Sequence, residues 1–243
     1  MKKTILTSLA LGVMSVGLMA GNAMALPGSS LQGVLDGITK GPIAGSSSVD
    51  VTTDFVAEGV DAYWAIGGSG GSLATIVIEL AGFANSNIFG LYDATDPSKK
   101  VTLFDGSAST GFQALVSILF DGSVIKNFGD TGIDFAGNKF GYFLDSPGGM
   151  FYSDSALNAS VEDHMFAYQG VGDMVQILPY SPGPWGASEY VLAWEDLPGA
   201  GGDYDDFVVM VESVTPVPEP ATMLLFGTGL ASLAGLVTRR KKN

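Results

Sequence analysis

The feature that most constrains this chain is its punctuation. Apolar, β-branched and aromatic runs of about four to eight residues are cut off repeatedly by clusters of Gly, Pro, Asp, Asn and Ser. Val49 to Phe55, Ala74 to Leu80, Ile88 to Tyr92, Val101 to Phe104 and Gln113 to Phe120 are such runs. Lys139 to Leu144, Met165 to Tyr168, Tyr190 to Trp194 and Phe207 to Val211 complete the set, and each reads as a strand. Many short strands at this spacing predict an all-β fold, an antiparallel β-sandwich of jelly-roll-like size, over a β/α fold. Leu31 to Ile38 reads as one short helix, no other strong helix is expected before residue 221, and no fixed-period repeat is evident.

The two ends follow different rules. Lys2 and Lys3 precede the apolar run Ile5 to Met19, and Ala23-Met24-Ala25 supplies a small-x-small cleavage pattern, so residues 1–25 read as a secretion signal cut after Ala25. A first transmembrane helix is disfavoured, because Gly12, Gly17 and Gly21 interrupt the run and no basic residue follows before Lys40. At the other end Pro218-Glu219-Pro220 marks a boundary, after which Ala221 to Val237 carries no charge. Seventeen helical positions reach ~26 Å, enough to span the hydrocarbon of a bilayer with little tilt. Arg239, Arg240, Lys241 and Lys242 resist translocation, which predicts a cytoplasmic C-terminus and an exported bulk.

Val217-Pro218-Glu219-Pro220-Ala221-Thr222, the apolar stretch and the terminal basic cluster together resemble the PEP-CTERM sorting signal handled by exosortase. The resemblance covers the last 27 or so residues. It implies a temporary anchor cleaved near the Pro-Glu-Pro, delivery to the cell surface or extracellular matrix, and the company of exopolysaccharide-producing, biofilm-forming bacteria. Between the two signals about 190 residues remain, residues 26–214, enough for one sizeable domain.

Six of the eleven basic residues lie in the terminal signals, so residues 26–238 set 25 acids against five lysines, a net charge of −20 with no arginine. Such a surface repels nucleic acid and attracts cations, and nucleic-acid binding is excluded on that ground. There is no cysteine, so the fold rests on its core or on bound metal.

The sharpest local chemistry is the segment from Tyr190 to Val209, in which two strands flank the Gly199-Ala200-Gly201-Gly202 loop. Glu195, Asp196, Asp203, Asp205 and Asp206 sit at the loop's two edges, and Asp203 and Asp205 have the spacing that puts side chains on one side of an extended chain. With no cationic neighbour in sequence, gathering these carboxylates is repulsive unless a cation joins them, and hard oxygen ligands suit calcium. The alternative is a solvated acidic turn, and the twelve-residue calcium-loop pattern is absent.

Trp194-Glu195-Asp196-Leu197 followed by Asp203-Tyr204-Asp205-Asp206-Phe207 also resembles the end of the domain of unknown function 4114. Phe140-Gly141-Tyr142-Phe143-Leu144, the stretch from Phe151 to Asn158 and Glu162-Asp163-His164 fit the same group, and the matched stretches cover about residues 85–213. The sequence departs at Asp205, where the group usually has Asn. The resemblance implies a cation-binding domain and assigns no activity.

The chain is read as a non-enzyme. Gly67-Gly68-Ser69-Gly70-Gly71 fits G-x-S-x-G, yet a nucleophile elbow needs a helix where a β-branched run follows, and the stretch lacks the Lys of a P-loop. His164 is the only histidine, which rules out a His-rich zinc site. Three function classes remain. The first is a surface or matrix protein associated with exopolysaccharide. The second is a carbohydrate-binding module, for which the loop Tyr180-Ser181-Pro182-Gly183-Pro184-Trp185-Gly186 offers Tyr180 and Trp185 as a stacking platform. The third is a polysaccharide-cleaving enzyme, for which no pair among the acids stands out.

Overall fold

The computed structural model describes residues 26–68, 70–79, 86–199 and 202–218. The expected signal peptide with Ala23 and Ala25, and the sorting residues from Glu219 through Pro220, Arg239, Arg240, Lys241 and Lys242, lie outside these residues. In chain order the elements are α1 (Ser29–Ile38), β1 (Thr39–Gly41), β2 (Trp64–Ile66), β3 (Ser72–Glu79), β4 (Ile88–Asp93) and β5 (Asp96–Phe104). Then come β6 (Gln113–Ile118), β7 (Ser123–Lys126), β8 (Gly129–Asp134), β9 (Lys139–Ser146), β10 (Gly149–Tyr152) and β11 (Met165–Gln169). The last are β12 (Met174–Val175), β13 (Gly183–Pro184), β14 (Glu189–Trp194), β15 (Phe207–Glu212) and β16 (Val214–Pro216).

These strands form an antiparallel β-sandwich. One sheet has the order β11-β14-β15-β3-β6-β7-β8, the other β16-β2-β9-β4-β5 with β10 added to β9, and β1-β12-β13 makes a small third sheet. The main core lies between the large sheets. Phe89 of β4 packs 6.0 Å from Trp194 of β14 and 5.2 Å from Phe207 of β15, ring centre to ring centre.

The central strands read as continuous apolar runs because both of their faces are covered. Tyr190, Leu192 and Trp194 of β14 and Phe207, Val209 and Val211 of β15 face the intersheet core. Val191, Ala193, Val208 and Met210 point the other way, into a second core with Leu31 and Leu35 of α1. Those two leucines are four apart, the spacing of one helical face, and both are fully buried. Two glycines permit the close approach of β4 to its neighbours β5 and β9. A Cβ at Gly90 would lie 2.2 Å from Val101 O, and one at Gly141 would lie 2.2 Å from Tyr92 Cζ.

One predicted strand is a turn. Asp50 accepts from Thr52 N and Oγ1 at 2.9 and 2.6 Å, while Thr53 N and Asp54 N donate to Asp50 O at 3.1 and 2.9 Å. The aspartate thus offers its own local turn, and this outcompetes the β-branched tendency of Val49 and Val51. Both valines are still buried, against α1. The G-x-S-x-G stretch leads from β2 into β3, so a strand follows it, with Ser69 outside the described residues. Among the described residues no helix is long and apolar enough to cross a membrane, and Ala221 to Val237 falls outside them.

Candidate metal centre at the acidic hairpin

The β14–β15 pairing, with Trp194 opposite Phe207, brings the residues after one strand against those before the other. Of the five carboxylates expected to converge, three come within ligand distance of one another and the other two border them. Glu195, Asp203 and Asp206 each present an oxygen, and these oxygens lie within 4.8 Å of one another. Ligands on opposite sides of a calcium ion with Ca–O distances near 2.4 Å are themselves ~4.8 Å apart, so the cluster has the breadth of one coordination shell.

Asp203 and Asp205 adjoin as their spacing suggests, and the Asp205 carboxylate acts on Asp203 both by charge and through a side-chain hydrogen bond. Tyr204 adopts φ +53, which breaks the alternation of an extended chain, and Asp206 joins Glu195 and Asp203 as the third carboxylate at ligand distance. Asp205 also reaches α1, where its Oδ2 accepts from Ser30 Oγ. Asp196 borders the cluster, with a side-chain hydrogen bond to Asp206. Its Oδ2 accepts from Asn87 Nδ2 at 3.1 Å, its carbonyl accepts from Ser146 Oγ at 2.6 Å, and its N–H donates to Asp206 Oδ2 at 3.1 Å. Asp196 therefore orients a cluster member through its backbone and its side chain. Ser30, Asn87 and Ser146 gave no signal in the sequence, since each is an isolated polar residue far along the chain from its partner.

Glu195 is the centre of the cluster's electrostatics. It is 5% exposed, and its Oε2 has no hydrogen-bond partner. Burial, and then the carboxylates of Asp206, Asp203 and Asp196, push its pKa up to about 8. Asp203 and Asp206 are also raised, first by burial and then by neighbouring aspartates. Every charged group acting on Glu195 is itself an acid, so like charge is concentrated without a cation. His164 supports the hairpin without joining the cluster. Its ring stacks on Phe151 at 3.9 Å, and Nδ1 lies 3.2 Å from Glu195 O. Burial lowers its pKa, which keeps the imidazole neutral near pH 7.

The aromatic loop does not form the expected platform. Trp185 is fully buried in the core beneath α1, with Nε1 donating to Glu189 O at 3.2 Å, so it has no face open to a sugar. Tyr180 stays exposed and donates to Gly111 O at 3.0 Å.

The sorting residues begin inside the sandwich. Val214 to Pro216 pair antiparallel with Trp64 to Ile66, and Val217 N donates to Tyr63 O at 2.7 Å. Val217 packs beside Tyr63 and Tyr92, and Pro218 is the last described residue. A search of curated proteins finds no match to the chain. The family model of the PEP-CTERM protein-sorting motif matches residues 216–241, so the chain carries the C-terminal signal of an exported protein sorted by exosortase.

Proposed function

We propose that this protein is a non-catalytic component of the cell surface or extracellular matrix, exported through its two terminal signals, with a calcium ion holding the β14–β15 hairpin. The observation that carries the metal reading is Glu195: a buried carboxylate oxygen without a donor, in a cluster with Asp203 and Asp206. An uncompensated buried charge is costly, and a hard divalent ion is the counter-charge that this all-oxygen donor set accepts. The apolar segment anchors the chain with its C-terminus in the cytoplasm until the sorting protease acts. Association with exopolysaccharide rests on the resemblance of the tail alone. The likeness of residues 85–213 to the domain of unknown function 4114 belongs to the same proposal. It is supported by the way two separated pieces meet, since Gly199 N donates to Glu162 Oε2 at 3.2 Å and His164 lies against Glu195.

Thermal denaturation in calcium and in chelator tests the metal. At free calcium a hundredfold above the dissociation constant the gain is ~2.7 kcal/mol, or roughly 5–10 °C for a domain of this size. Asp203→Asn with Asp206→Asn should abolish most of that gain, and magnesium at equal concentration controls for screening of the acidic surface. Equal responses to both ions, or an unchanged response in the double variant, would leave the hairpin a solvated turn. Release of reducing sugar from purified exopolysaccharide would overturn the non-catalytic assignment.

A carbohydrate-binding reading keeps one support. Tyr180 lines a cavity of about 240 Å³ with Gln113, Glu189 and Glu212, a mixture of ring face and hydrogen-bonding groups that suits a sugar. Polysaccharide pull-down that is lost in Tyr180→Ala would favour it.

A further inference from the structure

A second group of acids meets where the loop before β2 faces the residues that follow β10 and precede β11. Glu58, Asp61, Ser153, Asp154, Ser155 and Asp163 line a cavity of about 210 Å³ there. Asp61 is only 4% exposed, although it is charged in its ordinary state. The hydrogen bond its carboxylate receives comes from its own backbone N–H, and its nearest charged neighbours are Asp163 and Glu58, both acids. No other described residue donates to it.

The other acids are held in place around the cavity. Asp154 accepts from Tyr63 OH at 2.7 Å and from Ala156 N at 3.0 Å. Glu58 Oε1 accepts from Ser155 Oγ at 3.1 Å, and Asp163 Oδ1 accepts from Met165 N at 3.1 Å. Asp163 also accepts from the His164 N–H, but each carboxylate oxygen has two lone pairs, so acceptor capacity remains on Asp163, on the second oxygen of Glu58 and on Asp61. The group is wider than the hairpin cluster, which alone among the described residues gathers three ligand atoms within 4.8 Å. A cavity of this size holds several waters at ~30 Å³ each, so an ion here keeps part of its water shell.

We propose that this cavity is a second divalent-cation site, in which Asp61 and Asp163 bind a partly hydrated hard ion such as calcium or magnesium, with Glu58 and Asp154 completing its field. Two further facts agree with it. Burial raises Asp61 well above the usual carboxylate range and raises Asp163 to about 7, the cost that a bound cation removes. The segment carrying Asp163 also adjoins the hairpin, since Tyr204 OH donates to Asp163 O at 3.0 Å, so the two sites need separate variants to be told apart.

Equilibrium dialysis of the full-length chain in detergent, with calcium chloride and then magnesium chloride, reads the ions bound per chain. The wild type should bind two. Asp61→Asn should lose one and keep the hairpin ion, while Asp203→Asn with Asp206→Asn should lose the hairpin ion and keep this one. Asp61→Asn should also raise the melting temperature in chelator, because it removes a buried uncompensated charge, so loss of binding is separable from loss of fold. Asp163→Asn is the second variant and should likewise weaken the site by about tenfold or more. Unchanged stoichiometry and affinity in both Asp61→Asn and Asp163→Asn would overturn the proposal, whatever the hairpin does.

Discussion

Replacing Glu195 with glutamine separates the charge of the hairpin cluster from its shape. The folded pKa of about 8 stands above the ordinary 4.5, so between those values the folded chain holds a proton that the unfolded chain has released. Stability in chelator therefore falls as pH rises through this window, by about 1.4 kcal/mol per pH unit where the one-proton difference is fully developed. Below pH 4.5 both states are protonated and nothing is lost; above pH 8 both are ionised and the loss stops growing. Glu195→Gln cannot ionise and keeps a donor for Asp206, so it should overtake the wild type as pH rises and lead by on the order of 4 kcal/mol, roughly 10 °C, near pH 9. The comparison matters because Asp163, Asp196, Asp203 and Asp206 are raised in the same direction and steepen both curves. Calcium reverses the sign. Ligands must be deprotonated to bind, so the calcium-induced gain of the wild type should grow from pH 5 to pH 8 and be small in the variant. Parallel melting curves for the two proteins in chelator across this range would refute the assignment of an unpaired buried charge to Glu195.

Three further outcomes are expected. Trp185→Ala should cost about 3–5 kcal/mol in denaturant unfolding, with no selective loss of sugar binding in a protein that still folds, because the ring fills the core and meets no solvent. Gly90→Ala should destabilise the β4–β5 pair by several kcal/mol or abolish folding, as judged by circular dichroism and melting, since its Cβ would collide with the Val101 backbone. Mass spectrometry of the mature C-terminus in a host with the sorting protease should find an end near Pro218-Glu219-Pro220; an intact Arg239 to Lys242 tail would leave a permanent anchor.

The strands most legible in the sequence are those buried on both faces. Tyr190 to Trp194 and Phe207 to Val211 carry no polar residue to blur them, and the hairpin between them follows directly. The short β2 and β16 were illegible, because three residues cannot show a period and their partners are far away in the chain. Val49 to Phe55 misleads for the opposite reason, since its composition is that of a strand while Asp50 settles the backbone locally. At the site, composition and the absence of nearby cations marked the right loop. Which three acids meet depends on the left-handed backbone of Tyr204, and a tyrosine gives no warning of that conformation. The Asp61–Asp163 group was invisible because about a hundred residues separate its halves, and only tertiary contacts such as the bridge of Phe55 to Tyr168 unite them.

The seating of β16 has a mechanical consequence. Among the described residues the last hydrogen bond to the sheet is made by Val217, and the uncharged segment opens at Ala221. Four residues span at most ~14 Å, about twice the headgroup layer of one leaflet. If the uncharged segment sits in the bilayer, the folded body rests almost on the lipid, and a protease acting at the Pro-Glu-Pro would work in a slot with protein for one wall and membrane for the other. Releasing β16 from β2 would lengthen the leash by the three residues of that strand and Val217, nearly doubling it. Cutting would then be fastest on chains whose final strand has slipped its berth, and a flexible insert between Val217 and Pro218 should erase the difference between seated and unseated chains. Under that arrangement the closing strand doubles as a latch, and the time a chain spends tethered becomes a measure of how firmly its sandwich is shut.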